Sequence, residues 1–257
     1  EVVRFKEGPL LVVAVAGAGK TTTLTWRIKN LINSGVDPKS ILATTFTKKA
    51  ATEMNIKLKQ IGVDTSQMQV STFHSVCYKI LRKEISNFSR KKLDSTGTLE
   101  KNTLKELLGY KYMNWADVDI SEVQRKISNW KNALIRPYNA EDFDIRYVEA
   151  YRMFEEMRIS KGFITFDDML IDCWELFMTH RDVLMKYQAK FQYVLVDECQ
   201  DNNQAQHELT KLFAAPQNNV MIVGDDDQSI YAFRGAAPKF LSDFMYQYNA
   251  KVIRMED

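Results

Sequence analysis

One stretch limits the fold more than any other: a continuous apolar run, Leu10–Ala16, that leads without a break into Gly17-Ala-Gly-Lys-Thr-Thr22. An apolar run after Pro9 reads as a strand buried on both faces, which is the signature of a parallel sheet covered by helices. Gly17 and Gly19 allow a tight turn in which successive backbone N–H groups point at one anion. The helix that follows, with Leu24, Ile28, Leu31 and Ile32 at helical spacing and a stop at Gly35, adds a dipole that favours negative charge at its start. Strand, glycine turn, Lys-Thr and helix together predict a phosphate cradle formed by Ala16, Gly17, Ala18, Gly19, Lys20, Thr21 and Thr22. Lys20 would reach the outer phosphates, and the Thr21 hydroxyl would bind Mg²⁺. The general pattern opens on a glycine, and this chain has Ala14 there. A plain glycine-rich strand-to-helix turn is the alternative reading of the same residues.

The rest of the chain repeats the theme and then interrupts it. Ile41–Thr45 and Met68–Ser71 read as strands. Between them a helix places Ala50, Met54, Leu58 and Ile61 on one face and stops at Gly62. From about Lys83 to Tyr187 strand-like runs vanish, and helical periods take over, as in Ile120, Val123, Ile127, Trp130 and Leu134. After Phe191 the alternation resumes with strands at Tyr193–Val196, Val220–Val223 and Lys251–Arg254. These patterns predict an α/β core of residues 1–83 and 188–257, a parallel sheet with helices on both faces, interrupted by an all-helical insertion at 84–187. Within the insertion, Thr165-x-x-Asp168 ahead of an apolar run is a capping box, and Asp167 and Asp168 are read as structural. The basic triplet Arg90-Lys91-Lys92 reads as a solvated loop.

A second chemical element complements the cradle. The buried strand Tyr193–Val196 ends in Asp197-Glu198-Cys199-Gln200-Asp201, and acids at the carboxyl end of a parallel strand lie where such sheets bind ligands. Asp197 is the candidate to hold Mg²⁺ through a water, and Glu198 the candidate base for an attacking water. Helix capping is what such acids do when they stand alone. The strand Val220–Val223 runs into Gly224-Asp-Asp-Asp-Gln228. Gln228 is placed to sense the outermost phosphate, and Asp225, Asp226 and Asp227 are read as turn and cap residues ahead of metal ligands.

Composition excludes several classes. With 35 basic and 33 acidic side chains among 257 residues, net charge is +2, so no global field draws the chain to nucleic acid or membrane. The longest apolar run, seven residues, falls far short of the roughly 18 that span a bilayer. Three scattered cysteines with no C-x-x-C spacing exclude a disulfide framework or zinc ribbon, and favour a reducing, cytoplasmic location. The chain opens on Glu1 rather than Met, as expected of a piece of a longer protein.

Seven ordered blocks resemble the superfamily 1 DNA helicases of the UvrD/Rep/PcrA type. They are Glu7–Leu11, Ala16–Thr22, Thr44–Met54, Ser71–Ser75, Ile164–Leu170, Phe191–Gln206 and Val223–Ala237. The resemblance covers essentially the whole chain and implies a RecA-like P-loop domain with its helical insertion. In that family the phosphate loop commonly begins with Ala, which suits Ala14. It implies ATP and Mg²⁺ as cofactors, catalytic roles for Lys20, Asp197, Glu198 and Gln228, and movement on single-stranded DNA, in the 3′-to-5′ direction, at single-strand/duplex junctions. Phe46, Thr47 and Lys48 match one block that grips DNA, and Thr72, Phe73 and His74 match the next. Hydroxyls, amides and a lysine suit phosphates, and aromatics suit bases. Phe233 stands where relatives often carry a stacking Trp, with Tyr231 and Arg234 beside it. Taken singly, His74 and Phe233 would read as core residues. Thr22 departs from the family, which often has Arg there.

The resemblance also implies elements beyond both ends: a Gln that reads adenine, an Arg on the γ-phosphate, and a second RecA-like domain with its own arginine. Phosphoryl transfer slows by about 10³–10⁵-fold without such an arginine, so feeble turnover is expected of this stretch by itself. Two other readings of the parent protein are a RecB- or AddA-like helicase–nuclease and a non-catalytic module that binds DNA or nucleotide. A P-loop kinase would leave the Thr44–Met54, Ser71–Ser75 and Gln228–Arg234 blocks without a role.

Overall fold

In the computed structural model, residues 1–15, 17–109, 118–225 and 239–255 are described. The chain divides into two compact units, Glu1–Val76 with Leu176–Asp257, and Cys77–Glu175. In chain order the strands are β1 (Leu10–Ala14), β2 (Ile41–Thr45), β3 (Gln69–Thr72), β4 (Lys92–Leu93), β5 (Phe163–Ile164), β6 (Tyr193–Val196), β7 (Val220–Gly224) and β8 (Lys251–Met255). The helices are α1 (Lys20–Asn33), α2 (Lys48–Gln60), α3 (Phe73–Glu84), α4 (Thr98–Leu108), α5 (Ile120–Asn132), α6 (Ile145–Ser160), α7 (Phe166–Thr179), α8 (Arg181–Lys190), α9 (Gln204–Ala214) and α10 (Lys239–Tyr248).

The first unit is the expected α/β core. Six strands form one sheet in the order β3-β2-β6-β7-β1-β8, and every pairing between neighbours is parallel. β1, β2 and β7 are buried along their whole length, which explains why they read as unbroken apolar runs rather than alternating ones. Alternate residues take opposite faces. Leu10, Val12, Ile41, Ala43, Leu195 and Met221 pack with Leu24, Ile28 and Leu31 of α1 and with Met54 and Leu58 of α2. On the other face Val196 and Ile222 meet His207 of α9 and Phe244 of α10 around a cavity of about 220 Å³. The first strand stops at Ala14, two residues short of the apolar run, because the chain turns there toward Gly17.

Arg27 ties the start of the chain to α1. Its buried guanidinium meets no carboxylate among the described residues and donates to the carbonyls of Val2 (3.1 Å) and Phe5, with the Phe5 ring 5.4 Å away. Burial pushes its pKa down to about 10.

The second unit buries Leu104 and Leu107 of α4, Val123 and Ile127 of α5, and Ala150, Tyr151 and Phe154 of α6 against one another. Trp130 stacks on Tyr151 with centroids 5.5 Å apart. The insertion is not purely helical: β4 and β5 pair in parallel through Lys92–Phe163 and Leu93–Ile164. Two-residue strands leave no periodicity to detect, so they escape a reading based on pattern.

Polar burial in this unit is organised around Asp168. One carboxylate oxygen accepts from the Thr165 backbone N–H (2.7 Å) and hydroxyl (2.9 Å), while the Asp168 N–H donates back to the hydroxyl at 3.4 Å. These are the reciprocal bonds of the expected capping box. The other oxygen takes Lys131 at 2.7 Å, and Lys131 also reaches Glu155 at 2.7 Å. Arg158 binds Glu155 through two nitrogens, at 3.0 and 2.6 Å.

Candidate active site

Parallel pairing puts all the strand carboxyl ends on one edge, and the sheet order decides which loops become neighbours. β6 and β7 lie side by side, and β1 is next to β7. Beyond β1, Gly17 and Gly19 adopt φ of +89° and +77°. A side chain would be strained at either angle, although a Cβ there would meet nothing within 4 Å. Glycine serves the backbone path here, and the space above the turn is open.

The helix that starts at Lys20 brings two side chains over the end of β6. Lys20 is 8% exposed, and its Nζ lies 3.1 Å from Glu198 Oε2 and 3.7 Å from Asp225 Oδ2. The Thr21 hydroxyl donates to Asp197 Oδ2 at 3.2 Å. Asp197 is fixed from below by its own N–H, which donates to the Thr44 carbonyl of β2 at 2.9 Å. Burial, and then the neighbouring Glu198 charge, push its pKa up to about 6, against the opposing pull of the Thr21 hydroxyl. The same two causes raise Asp201 to about 6.

Glu198 has left-handed backbone angles, φ 51° and ψ 48°, which turn its side chain out of the strand line. Gln200 donates from Nε2 to Glu198 Oε2 at 2.7 Å and accepts the Asp225 N–H at Oε1, 3.1 Å away. Cys199 is buried, and burial pushes its thiol well above the ordinary range, so it offers no thiolate.

The donor set suits Mg²⁺. Thr21 and Asp197 present hard oxygens side by side. Among the described residues no group of three or more His, Cys, Asp or Glu side chains could hold a metal. An ion that keeps waters and phosphate oxygens as most of its ligands, as Mg²⁺ does, needs only such a partial site.

On the other side of β6 from β7, β2 and then β3 end together, with Thr45 in register with Thr72. The Thr47 hydroxyl caps α2 by accepting the Ala50 N–H at 3.0 Å, and Thr47 and Lys48 are exposed beside a half-buried Phe46. The Thr72 hydroxyl accepts the Ser75 N–H at 3.3 Å and is buried. Phe73 is 1% exposed, so its ring packs inside the protein and offers no face to a base. The second block therefore reaches the surface in part at His74, while Thr72 and Phe73 hold the start of α3.

Residues 1–249 match the model of the UvrD/REP helicase N-terminal domain family. The chain belongs to that family. The ATP-dependent DNA helicase PcrA of Staphylococcus epidermidis (strain RP62A) is 38% identical over 268 residues, covering 100% of this chain and 36% of the relative. PcrA of Staphylococcus aureus (strain Mu50) is 37% identical over 259 residues, covering 96% and 35%. YjcD of Bacillus subtilis (strain 168) is 35% identical over 257 residues, covering 96% and 34%. The chain thus spans about a third of the length of these curated relatives.

In this UvrD/REP-type domain the structure brings together Gly17, Gly19, Lys20, Thr21, Asp197 and Glu198, with Ala18 half-buried and Thr22 exposed at the same turn. Ala16, Gln228, Tyr231, Phe233 and Arg234 lie outside the described residues. Two contributors escaped the sequence reading. Asp225 is a buried partner of Lys20, where the run of acids suggested turn and cap residues or, less readily, metal ligands. Gln200 is buried and bonded at both ends of its amide, and no spacing marks a loop glutamine as such. Among the described residues no helix is long and apolar enough to cross a membrane.

Proposed function

We propose that this domain is the ATP-binding part of an ATP-dependent DNA helicase or translocase that moves on single-stranded DNA. The observation that carries the reading is the convergence of Lys20 and Thr21, from one side of the phosphate turn, on Glu198 and Asp197 at the end of β6. The family and the names of its relatives support ATP and DNA as the substrates.

Gly17, Ala18 and Gly19, with Ala16 and Thr22, offer backbone N–H groups to the phosphates, and Lys20 moves from Glu198 to the outer ones. Thr21 and Asp197 hold Mg²⁺, which when bound neutralises charge developing on the phosphates. Glu198 takes a proton from a water as the water oxygen bonds to the γ-phosphorus. The bond from that phosphorus to the bridging oxygen breaks, and its electron pair leaves with ADP. Gln228 senses the γ-phosphate by the family resemblance.

DNA lies over the ends of β2 and β3, on Phe46, Thr47, Lys48 and His74, with Phe233 as the stacking ring and Tyr231 and Arg234 linking it to the nucleotide. A second RecA-like domain closes over the nucleotide, and cycles of closure step the protein 3′-to-5′ toward a duplex junction. ATP turnover by the full-length protein, with and without single-stranded DNA, tests this. DNA is expected to stimulate turnover, and Lys20→Ala to abolish it. Undiminished turnover in that variant would show that the phosphate site lies elsewhere.

A further inference from the structure

The reading of Glu198 as the base leaves open what holds its carboxylate in place. The backbone at this position is left-handed, and the side chain is one-third exposed, so packing alone does not fix it. Among the described residues two groups meet Glu198 Oε2: Lys20 Nζ at 3.1 Å and Gln200 Nε2 at 2.7 Å. They differ in kind. Lys20 is a cation next to the phosphate turn, and a polyphosphate in that turn draws it away. Gln200 is a neutral amide with nothing to gain from the phosphates.

Its geometry is that of a brace. The side chain is 5% exposed, and each end of the amide is used: nitrogen toward the carboxylate, oxygen toward the Asp225 N–H at 3.1 Å. An N–H can only donate and an ionised carboxylate only accept, so the amide is locked in one orientation. The bonds join the loop after β6 to the end of β7, two strands paired through Val194–Val220 and Val196–Ile222.

We propose that Gln200 is a positioning residue that fixes the Glu198 carboxylate to the end of β7, so that the base keeps its place when Lys20 leaves it for phosphate. The inference rests on Glu198 being the base, and it adds a residue that works only through Glu198. Groups that orient metal ligands typically cost about 10–100-fold in activity when removed, and a loss on that order is expected of a group that orients the base.

The test uses the full-length protein with saturating single-stranded DNA, comparing wild type, Gln200→Met and Gln200→Glu. Methionine removes both bonds at similar length. Glutamate keeps the acceptor for Asp225 but puts a like charge against Glu198. Both variants should lose about 10–100-fold in kcat while KM for ATP stays within about 3-fold, measured at a temperature where each variant is shown to be folded by its thermal midpoint. The deciding readout is a double-mutant cycle. In a Glu198→Gln background, Gln200→Met should lower the single-turnover rate by less than about 2-fold, since the group it positions is already lost.

An equal loss in both backgrounds would overturn the proposal, because Gln200 would then act on something else. So would wild-type kcat in Gln200→Met, or recovery of kcat in Gln200→Glu, which would leave only the tether to β7. Wild type without ATP turnover would overturn the functional reading and this inference with it. Normal wild-type turnover beside an unaffected Gln200→Met would overturn this inference alone.

Discussion

At the scale of single residues, the chain keeps ionisable groups in two kinds of burial, and each has a testable consequence. Asp197 and Glu198 are crowded at a strand end, where Lys20 and Thr21 meet them. Glu100 in the second unit is different. Burial pushes its pKa up to about 7, although Lys131 and a hydrogen bond from Gln124 at 2.9 Å pull the other way. A carboxyl whose pKa is higher in the folded than in the unfolded chain holds its proton more tightly when folded. Its favourable contribution is therefore complete below the unfolded value of 4.5 and is lost as pH rises through about 7. Glu100→Gln keeps an acceptor for Gln124 and never ionises. It should gain about 1–3 kcal/mol over wild type in urea unfolding at pH 8 and almost nothing at pH 4. A gain of equal size at both pH values would show that ionisation of Glu100 is not the cause.

At the scale of elements, the contrast between buried and surface charge sets what a deletion costs. Asp168 caps α7 through Thr165 and neutralises Lys131, both side chains being almost fully buried. Asp168→Ala leaves buried Lys131 and Arg158 to share the carboxylate of Glu155 and strips the Thr165 N–H and hydroxyl of their acceptor, and should destabilise the chain by about 3–5 kcal/mol in the same unfolding measurement. The exposed Lys49–Glu53 pair, 3.9 Å apart, is the control, and Lys49→Ala should cost less than about 1 kcal/mol. Equal costs would mean that Asp168 is not a keystone of the second unit.

Elements were also what the sequence showed best. The apolar runs of β1, β2, β6 and β7 were legible because central parallel strands are buried on both faces, and Thr165-x-x-Asp168 was legible because a capping box has fixed spacing. Gly17, Gly19, Lys20 and Thr21 stood out because a glycine turn followed by Lys-Thr has a fixed order, and the structure has that turn with Lys20 and Thr21 against the acids after β6. Burial was not legible. Phe73 and Thr72 sit in a block that resembles a DNA grip, yet one fills the core and the other is buried with its hydroxyl capping α3. Gln200 and Asp225 were missed for the converse reason: their roles arise from the pairing of β6 with β7, which brings together residues 25 positions apart.

At the scale of the whole molecule, a net charge of +2 offers no general attraction to nucleic acid, so affinity must come from local groups. On the functional reading those groups sit over the ends of β2 and β3, and log affinity for single-stranded DNA should fall linearly with log salt. Lys48→Ala should weaken binding to all sequences alike and reduce that slope by about 1. Binding indifferent to salt would exclude backbone contacts there.

On the functional reading, the turn beyond β1 and the acids beyond β6 form one nucleotide site. The most direct test of that reading is the affinity of the chain for a fluorescent ATP analogue with Mg²⁺, for wild type and for Lys20→Ala. Loss of a charged group that contacts phosphate predicts an affinity at least about 10-fold weaker in the variant, measured at a temperature where both proteins are folded. Equal affinities in the two proteins would contradict it.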